Sequence, residues 1–293
     1  MSILKLAPAA VIREGQAEAI RKLIACDAPI AADSRYLFSM DPQSGSIVVN
    51  GNEAGESFAQ YLDEKGFEAL GTDAEKYETL PVVIRDLGVE NGELFYSPAK
   101  KNQAFWYITD AKAGSVIYFG LKDALSKDEL EKALEDGSYK DKLQAVDIQK
   151  DDLLVVDPGT IYVFEKGPSI LEIERNVPDK DDNYKAAIED INVGHNKHDY
   201  HKGDWVADGQ AEHIDAGRND VFELDLYQLD GRMDMDTDDK TFKTLVFLEG
   251  TAVIDDHHET IHAEKDTVLF VPAYTEPFHI TGNAKFALVH LVQ

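Results

Sequence analysis

Short apolar runs, separated by turns rich in Gly, Pro, Asn and Asp, recur along most of the chain. Runs of this length favour β-strands over helices. The pattern is clearest in residues 150–167, where Leu153–Val156 and Ile161–Phe164 flank the sequence Asp157-Pro158-Gly159-Thr160. Pro restricts φ at one turn position and Gly accepts a positive φ at the next, which predicts a strand, a tight turn and a strand. Neither run carries a charge, as expected of strands buried in a sandwich or barrel.

Helical spacing of apolar residues is confined to the N-terminal half of the chain. It predicts helices at Glu14–Ala28, at Glu56–Leu70 and at Ser126–Leu143, the last supported by the capping-box spacing of Ser126 and Glu129. Strands are predicted in two parts of 34–49 and at Leu80–Leu87, Leu94–Ser97, Phe105–Thr109, Val116–Leu121 and Ser169–Glu174.

Residues 177–217 contain few apolar residues and have no clear period. We interpret them as a connecting segment, because long irregular stretches in compact chains are usually functional or mark a boundary. Alternation then resumes. Strands are predicted at Phe222–Leu229, Thr241–Glu249, Thr251–Ile254, Thr260–His262, Thr267–Val271, Phe278–Ile280 and Phe286–Val292. The pattern therefore predicts two mainly β domains, 1–176 with helical insertions and 218–293.

Composition narrows the possible partners. The net charge of −27 disfavours nucleic acid and anionic membranes as partners. No run approaches the roughly 20 apolar residues of a membrane helix. We expect no signal peptide, because Arg13 and Glu14 follow without a sustained apolar segment. The chain has a single cysteine, Cys26, which excludes an internal disulfide and is expected to be a small buried residue. Because we expect neither a disulfide nor a signal peptide, we expect a cytoplasmic location.

Histidines form one conspicuous group. His195, His198 and His201 are three residues apart, as in some helical metal sites, but the surrounding Gly, Asn and Asp favour an exposed loop. Asp255–Glu259, with His257 and His258, lies between two predicted strands and is interpreted as a hairpin tip.

One acidic stretch imitates a calcium loop. Asp234, Asp236 and Asp238 have the spacing of its first three ligands. Asp239 and Leu245 stand where such a loop needs Gly and Glu, so an acidic connection between strands is preferred.

One combination of segments resembles a known family. FWYITDAKAGS at 105–115, the capped helix SKDELEKALEDG and QKDDLLVVDPGTIYVF at 149–164 are similar to segments of the class I mannose-6-phosphate isomerases, in their short bacterial form. EKDTVLFVPA at 264–273 is similar to a motif of the second cupin domain in that family. The resemblance implies a double cupin: two jelly-roll β-barrels, with helices inserted in the N-terminal half.

The resemblance also implies a zinc site. In the family, four residues hold zinc: two in a Q-x-H-P element, a glutamate shortly before W-Y, and a histidine in a P-x-G-T-x-H element. The ion orients the sugar phosphate and polarises its oxygens during proton transfer between C1 and C2. At the matching positions this chain has Phe95, Ser97, Ala104 and Tyr162.

These four residue types are not normal zinc ligands. Zinc takes Cys sulfur, His nitrogen or Asp and Glu oxygen, whereas Phe and Ala have no donor atom. We therefore expect no metal or other cofactor, and a mainly aromatic, dry pocket at these positions. The family's catalytic arginine falls at Lys185, which keeps the charge and loses the planar guanidinium.

Three hypotheses remain open. In the first, the protein is a metal-free, catalytically degenerate relative that binds a sugar or sugar phosphate or has a regulatory role. In the second, it is an active isomerase of carbohydrate metabolism that interconverts mannose 6-phosphate and fructose 6-phosphate with a rearranged site, for which the histidines are the first place to look. In the third, it is an oligomeric scaffold without a ligand, although the sequence indicates no particular oligomeric state.

Overall fold

The chain is mainly β, as predicted, and is described by a computed structural model. The structure describes residues 1–7, 9–12, 32–41, 45–89, 94–96, 103–164, 167–177, 188–195, 200–201 and 204–292. No helix in these ranges is long and apolar enough to cross a membrane.

The strands are β1 (Leu4–Ala7), β2 (Ala9–Ile12), β3 (Ala32–Phe38), β4 (Ile47–Val48), β5 (Val82–Val89), β6 (Leu94–Tyr96), β7 (Ala104–Asp110), β8 (Val116–Leu121), β9 (Leu143–Asp147), β10 (Leu153–Val156), β11 (Ile161–Phe164), β12 (Ser169–Arg175), β13 (Tyr200–His201), β14 (Val206–Asp208), β15 (Ala211–Arg218), β16 (Phe222–Met235), β17 (Lys243–Asp255), β18 (Thr260–Glu264), β19 (Val268–Val271) and β20 (Phe278–Leu291). Two α-helices lie wholly within the described residues, α1 (Phe58–Lys65) and α2 (Lys127–Glu135), and residues 188–190 are also helical. Short 3₁₀ helices span Phe67–Leu70, Thr72–Ala74 and Ser138–Lys142.

Contacts divide the chain into two units. Unit 1 comprises Met1–Ala9, Tyr36–Ile84 and Gly203–Gln293, and unit 2 comprises Ala10–Arg35 and Arg85–Lys202. This division differs from the predicted contiguous domains, because β1 from the start of the chain pairs with β19 near its end. Residues 177–217 are also not a simple connection, since they contain β13, β14 and most of β15.

Unit 1 is organised by a sheet in which two long strands flank a third. β16 and β17 both pair antiparallel with β20, over 14 and 12 aligned residue pairs. The sheet order is β14-β15-β16-β20-β17-β19-β1-β4, with β18 beside β17. Apolar residues on one face, including Phe247, Phe286 and Leu288, form a buried cluster. We call this face the inner face of unit 1.

Unit 2 packs strands of two sheets against each other. β10, β7, β12 and β5 are neighbours in one sheet, and β6, β11, β8 and β9 form the other. Ala104, Trp106 and Ile108 from β7 share a buried cluster with Phe119 of β8 and Tyr162 of β11. Because β7 belongs to the first sheet and β8 and β11 to the second, the apolar core of unit 2 lies between the two sheets.

The capped helix α2 covers the opposite side of the smaller sheet. Ser126 and Glu129 form the predicted capping box, in which each side chain accepts a hydrogen bond from the other residue's backbone N–H. Leu130 and Leu134 pack with Ile161 and Val163 of β11. The helix ends at Glu135, earlier than predicted, because Gly137 directly after the Asp136 cap has a left-handed conformation with φ of 79°. A 3₁₀ helix then leads to Leu143, which begins β9 and pairs with Leu121.

The Pro-Gly turn connects the two sheets of unit 2. β10 and β11 form at the predicted positions, but β10 pairs with β7 whereas β11 pairs with β6 and β8. Gly159 has φ of 79° and a β-carbon there would lie 2.7 Å from the Asp190 backbone oxygen. The glycine is therefore required by both its conformation and this close approach.

Other predictions were right in kind and differ in extent. Thr241–Glu249 and Thr251–Ile254 belong to one strand, β17, and the two last predicted strands belong to β20. A register shift between Phe247 and Glu249 lets β17 continue through the turn-like sequence at Gly250. The predicted helix Glu14–Ala28, with Cys26, lies outside the described residues.

Candidate functional site

Two of the four positions aligned with zinc ligands lie in the same cluster of unit 2. Ala104 begins β7 and Tyr162 is the second residue of β11, and both are buried, with 3% and 2% of their surfaces exposed. Alternation along β7 directs Ala104, Trp106 and Ile108 to one face, which is the face that meets Tyr162. The fold therefore brings these two positions together in the apolar core.

Aromatic rings fill the space around Tyr162. Its ring lies edge-on to Trp106, with centroids 4.7 Å apart, and the Phe164 centroid is 5.2 Å away. Trp106 also contacts Phe119 and Phe164, with centroid distances of 5.4 and 5.1 Å. Such tilted and edge-to-face pairs are favourable arrangements of aromatic rings.

The remaining aligned positions are less completely described. Register places Phe95 of β6 directly opposite Tyr162 of β11, so their backbones are neighbours in the smaller sheet. Ser97 and Lys185 lie outside the described residues, and their predicted roles stay predictions.

Ala104 and Tyr162 do not fit a zinc site. Ala104 offers no donor atom, and Tyr162 offers only a phenol inside an aromatic cluster. Within the described ranges, no three His, Cys, Asp or Glu side chains are grouped to hold a metal ion. The chemistry of these two residues therefore does not support a step that uses zinc.

Charged residues adjoin the aromatic cluster, which sequence reasoning missed. Arg85 of β5 forms ion pairs with Glu172 and Glu174 of β12, with an Nη2–Oε2 distance of 2.5 Å to Glu172. The Trp106 indole N–H donates a hydrogen bond to Glu172 over 3.1 Å. All four side chains are buried. The expectation of a dry aromatic environment is therefore incomplete, since a buried guanidinium and two carboxylates border it.

This charge cluster ties three neighbouring strands together. β5, β12 and β7 lie side by side, and Glu172 pairs in register with Trp106. Buried charges need a partner of opposite sign because the interior solvates them poorly. The available signal in the sequence was the alternation Glu172-Ile173-Glu174 in an otherwise apolar strand, together with Arg85 inside another.

The histidine group does not form a helix at its start. His195 is exposed, lies in a non-helical stretch, and its Nδ1 is 2.7 Å from the Lys122 carbonyl oxygen. His198 lies outside the described residues, and only the backbone of His201 is described, where it pairs with Leu153.

The two acidic segments serve as connections within unit 1. Asp255–Glu259 is the tip of the β17–β18 hairpin, where the Asp256 carboxylate accepts hydrogen bonds from the backbone N–H groups of Ile3, His258 and Glu259. Asp234 is paired with Arg232, and the Asp238 carboxylate accepts from the backbone N–H groups of Lys240 and Thr241.

Comparisons with known proteins agree with the sheet architecture. A solved mannose 6-phosphate isomerase from Bacillus subtilis superposes with a TM-score of 0.82 at 19% identity, covering 99% of each chain. A family model, "Mannose-6-phosphate isomerase, cupin domain", matches residues 215–291. These two findings define a protein of the cupin class.

Sequence relatives with mannose-6-phosphate isomerase names are also similar to this chain. "Putative mannose-6-phosphate isomerase YvyI" of Bacillus subtilis (strain 168) is 20% identical over 283 residues, covering 87% of this chain and 88% of the relative. "Mannose-6-phosphate isomerase ManA" of the same organism is 32% identical over 156 residues, covering 48% and 47%. Together with the family model over residues 215–291 and the fold, these matches show a chain that is similar to the mannose-6-phosphate isomerase family of cupin proteins.

Proposed function

We propose that this protein is a metal-free, catalytically degenerate member of its family that acts as a binding or regulatory protein for a sugar or sugar phosphate. The observation that carries the proposal is the burial of Ala104 and Tyr162 in one aromatic cluster at two aligned ligand positions. A protein can keep a fold while losing its chemistry, because function resides in particular side chains.

The surrounding packing supports the loss of zinc-dependent isomerisation. The rings of Trp106, Phe119 and Phe164 contact one another or Tyr162 at centroid distances between 4.7 and 6.4 Å. A hydrated divalent cation among these rings would lose oxygen ligands without gaining donors from Ala104. The charged groups beside the cluster do not replace the missing donors, because the buried Glu172 and Glu174 carboxylates are already paired with Arg85.

The alternative is an active isomerase with a rearranged site. Its support is that the relatives carry isomerase names, including ManA. In that case His195, His198 and His201 are the first candidates for metal binding.

Metal analysis and an isomerase assay on the same preparation test the proposal. The purified protein is dialysed against zinc, its zinc content is measured by mass spectrometry, and turnover of mannose 6-phosphate to fructose 6-phosphate is followed in a coupled assay. ManA from Bacillus subtilis, treated identically, is the positive control. We expect substoichiometric zinc and no turnover above background. Stoichiometric zinc with enzyme-like turnover would refute the proposal.

A variant and a ligand panel separate the remaining hypotheses. If turnover occurs, replacing His195, His198 and His201 together by Ala tests the rearranged site, which predicts loss of activity. Without turnover, a rise in melting temperature with mannose 6-phosphate or fructose 6-phosphate, and none with inorganic phosphate, supports a sugar-phosphate binding role. A melting temperature unchanged by every compound would favour the scaffold hypothesis.

A further inference from the structure

Charged side chains form a continuous row across four strands of unit 1. Backbone register aligns Arg218 of β15 with Glu223 of β16, Glu223 with His290 of β20, and His290 with Lys243 of β17. Directly paired residues in antiparallel strands point to the same side of the sheet. The row lies on the inner face, because Leu245 and Leu288, two residues further along β17 and β20, belong to the buried cluster.

The members of this row are partly buried and contact one another. His290 Nε2 lies 3.9 Å from a Glu223 carboxylate oxygen and 3.7 Å from a carboxylate oxygen of Asp225. Glu223 is also paired with Arg218 at 2.5 Å. The side chains of His290, Glu223 and Asp225 are 19%, 25% and 16% exposed, so solvent reaches each of them.

Lys243 differs from its neighbours because its ammonium group has no direct partner in the part of the chain that the structure describes. Among the described residues it makes neither a hydrogen bond nor an ion pair within 4.0 Å. Burial lowers its pKa, and the carboxylates of Asp238, Asp236 and Asp225 oppose that effect from a distance. The half-buried Lys243 ammonium group therefore has N–H donors that can form hydrogen bonds with a ligand.

Aromatic side chains lie next to the charged row. Tyr227, four residues beyond Glu223 on β16, pairs in register with Phe286 of β20, and Phe286 pairs with Phe247 of β17. The rings of Tyr227 and Phe286 are stacked at 5.3 Å, and His213 stacks on the other side of Tyr227 at 5.7 Å. Burial, followed by nearby Asp225, raises the pKa of Tyr227 to about 12, so its hydroxyl stays protonated and can donate.

We propose that Asp225, Glu223, Lys243 and His290 form a binding site for a neutral, hydroxyl-rich small molecule, the class of polyols and unphosphorylated sugars. Each hydroxyl group both donates and accepts a hydrogen bond, which matches the carboxylate acceptors of Glu223 and Asp225 beside the ammonium donor of Lys243. His290, whose Nδ1 lies 3.1 Å from the Leu291 carbonyl oxygen and whose Nε2 faces both carboxylates, would hold these acceptors in place. Both faces of the Tyr227 ring are covered by Phe286 and His213, so Tyr227 would contribute its protonated hydroxyl as a further hydrogen-bonding group.

Charge argues against the other ligand classes. An anion at this row would be repelled by the carboxylates of Glu223 and Asp225, while Asp236 and Asp238 also act electrostatically on Lys243. A divalent cation lacks a ligand set, because the Glu223 and Asp225 carboxylates already face Arg218 and His290. The proposal concerns unit 1 alone and does not depend on the function proposed from the unit 2 residues.

Calorimetry with mannitol, D-mannose and D-fructose tests this site. We expect millimolar binding of at least one of these compounds and no comparable binding of inorganic phosphate. Lys243→Met and Asp225→Asn should each weaken binding at least about tenfold, which corresponds to about 1.4 kcal/mol. The matched control is Lys265→Met, which removes an exposed lysine from the turn after β18 and should leave affinity unchanged.

Spectroscopy on the unaltered protein keeps the test independent of variant folding. The ring resonances of His290, assigned with a His290→Gln variant, should shift when the polyol that binds is added and should not shift with phosphate. Absence of binding by all three compounds would overturn the proposal. So would unchanged affinity in Lys243→Met, tighter binding of phosphate than of the polyols, or binding that leaves the His290 resonances unmoved.

Discussion

Replacing Ala104 by Glu is the most direct test of the idea that the unit 2 cluster has become an apolar core. The substitution restores the carboxylate of the aligned family position at a residue that is 3% exposed. Its new atoms would meet a packed cluster that includes Trp106 and Tyr162. We expect a large loss of stability and no recovery with zinc.

The expected cost has two sources. Overpacking a filled core costs roughly 1–3 kcal/mol. Burying the charge adds a second cost, because burial raises the pKa of a carboxyl group from its normal value of about 4.3. Each pKa unit corresponds to about 1.36 kcal/mol, and once the pKa exceeds the pH the side chain becomes protonated and the cost stops growing. At pH 7 this cost is therefore at most about 3.7 kcal/mol. The variant should therefore lose about 3–6 kcal/mol of unfolding free energy, a large part of the roughly 5–15 kcal/mol typical of a domain.

Urea unfolding followed by circular dichroism measures this loss. Ala104→Gln has nearly the same size without the charge, so the difference between the Glu and Gln variants isolates ionisation. Ala145→Glu at an exposed strand position is the control and should change stability by less than about 0.5 kcal/mol.

The pH dependence gives a second check. Burial raises the pKa of the introduced Glu in the folded state above its unfolded-state pKa of about 4.3. The destabilisation caused by its charge therefore increases as the pH rises above about 4.3, and decreases as the pH falls toward that value. The Glu–Gln difference should therefore narrow between pH 7 and pH 5. If Ala104→Glu is as stable as the wild type, or if added zinc restores its stability, the assignment of this cluster as an apolar core without metal is wrong.

Three further substitutions test other parts of the structure. Arg85→Met leaves the buried Glu172 and Glu174 carboxylates without their ion-pair partner, so it should lower the unfolding free energy measured in urea by about 3–5 kcal/mol. Arg85→Lys keeps the positive charge and should lower it less. Equal stability of Arg85→Met and wild type would contradict a structural role for this ion pair. Backbone hydrogen bonds outweigh burial and lower the pKa of Asp256, so its stabilisation is present above the unfolded pKa of about 3.9 and is lost as the pH falls through the folded value. The difference in melting temperature between wild type and Asp256→Asn should accordingly shrink below about pH 4, and a constant difference would refute the assignment. Gly159→Ala should cost at least about 1 kcal/mol by differential scanning calorimetry because a β-carbon at positive φ would approach the Asp190 carbonyl; a neutral effect would show that the turn can relax.

Local patterns were sufficient to predict most elements of the fold. Strands β8, β10 and β11 lie where their apolar runs predicted them, and the capping box at Ser126 forms as its spacing indicated. These features depend on neighbouring residues, through alternation, turn chemistry and side-chain hydrogen bonds to the backbone. The alignment with the family likewise used only the order of residues.

Pairing between distant segments was not encoded in any local pattern. The Pro-Gly turn predicted two strands, yet nothing in it shows that β10 and β11 enter different sheets. Similarly, β1 joins unit 1 through its pairing with β19, although more than 250 residues separate Leu4 from Phe270 in the chain. Such pairing depends on the burial of whole sheet faces, which residue spacing does not report.

The sequence by itself determined which donor atoms are absent: Ala104 cannot ligate a metal in any fold. Only the tertiary structure decided what surrounds it, by bringing Tyr162 and Trp106 from separate sheets and Arg85, Glu172 and Glu174 from adjacent strands into one neighbourhood. The same holds for the row from Arg218 to Lys243, whose members come from four strands. The physical reason is that residue identity fixes chemistry locally, whereas long-range strand register fixes which side chains share a face and a degree of burial.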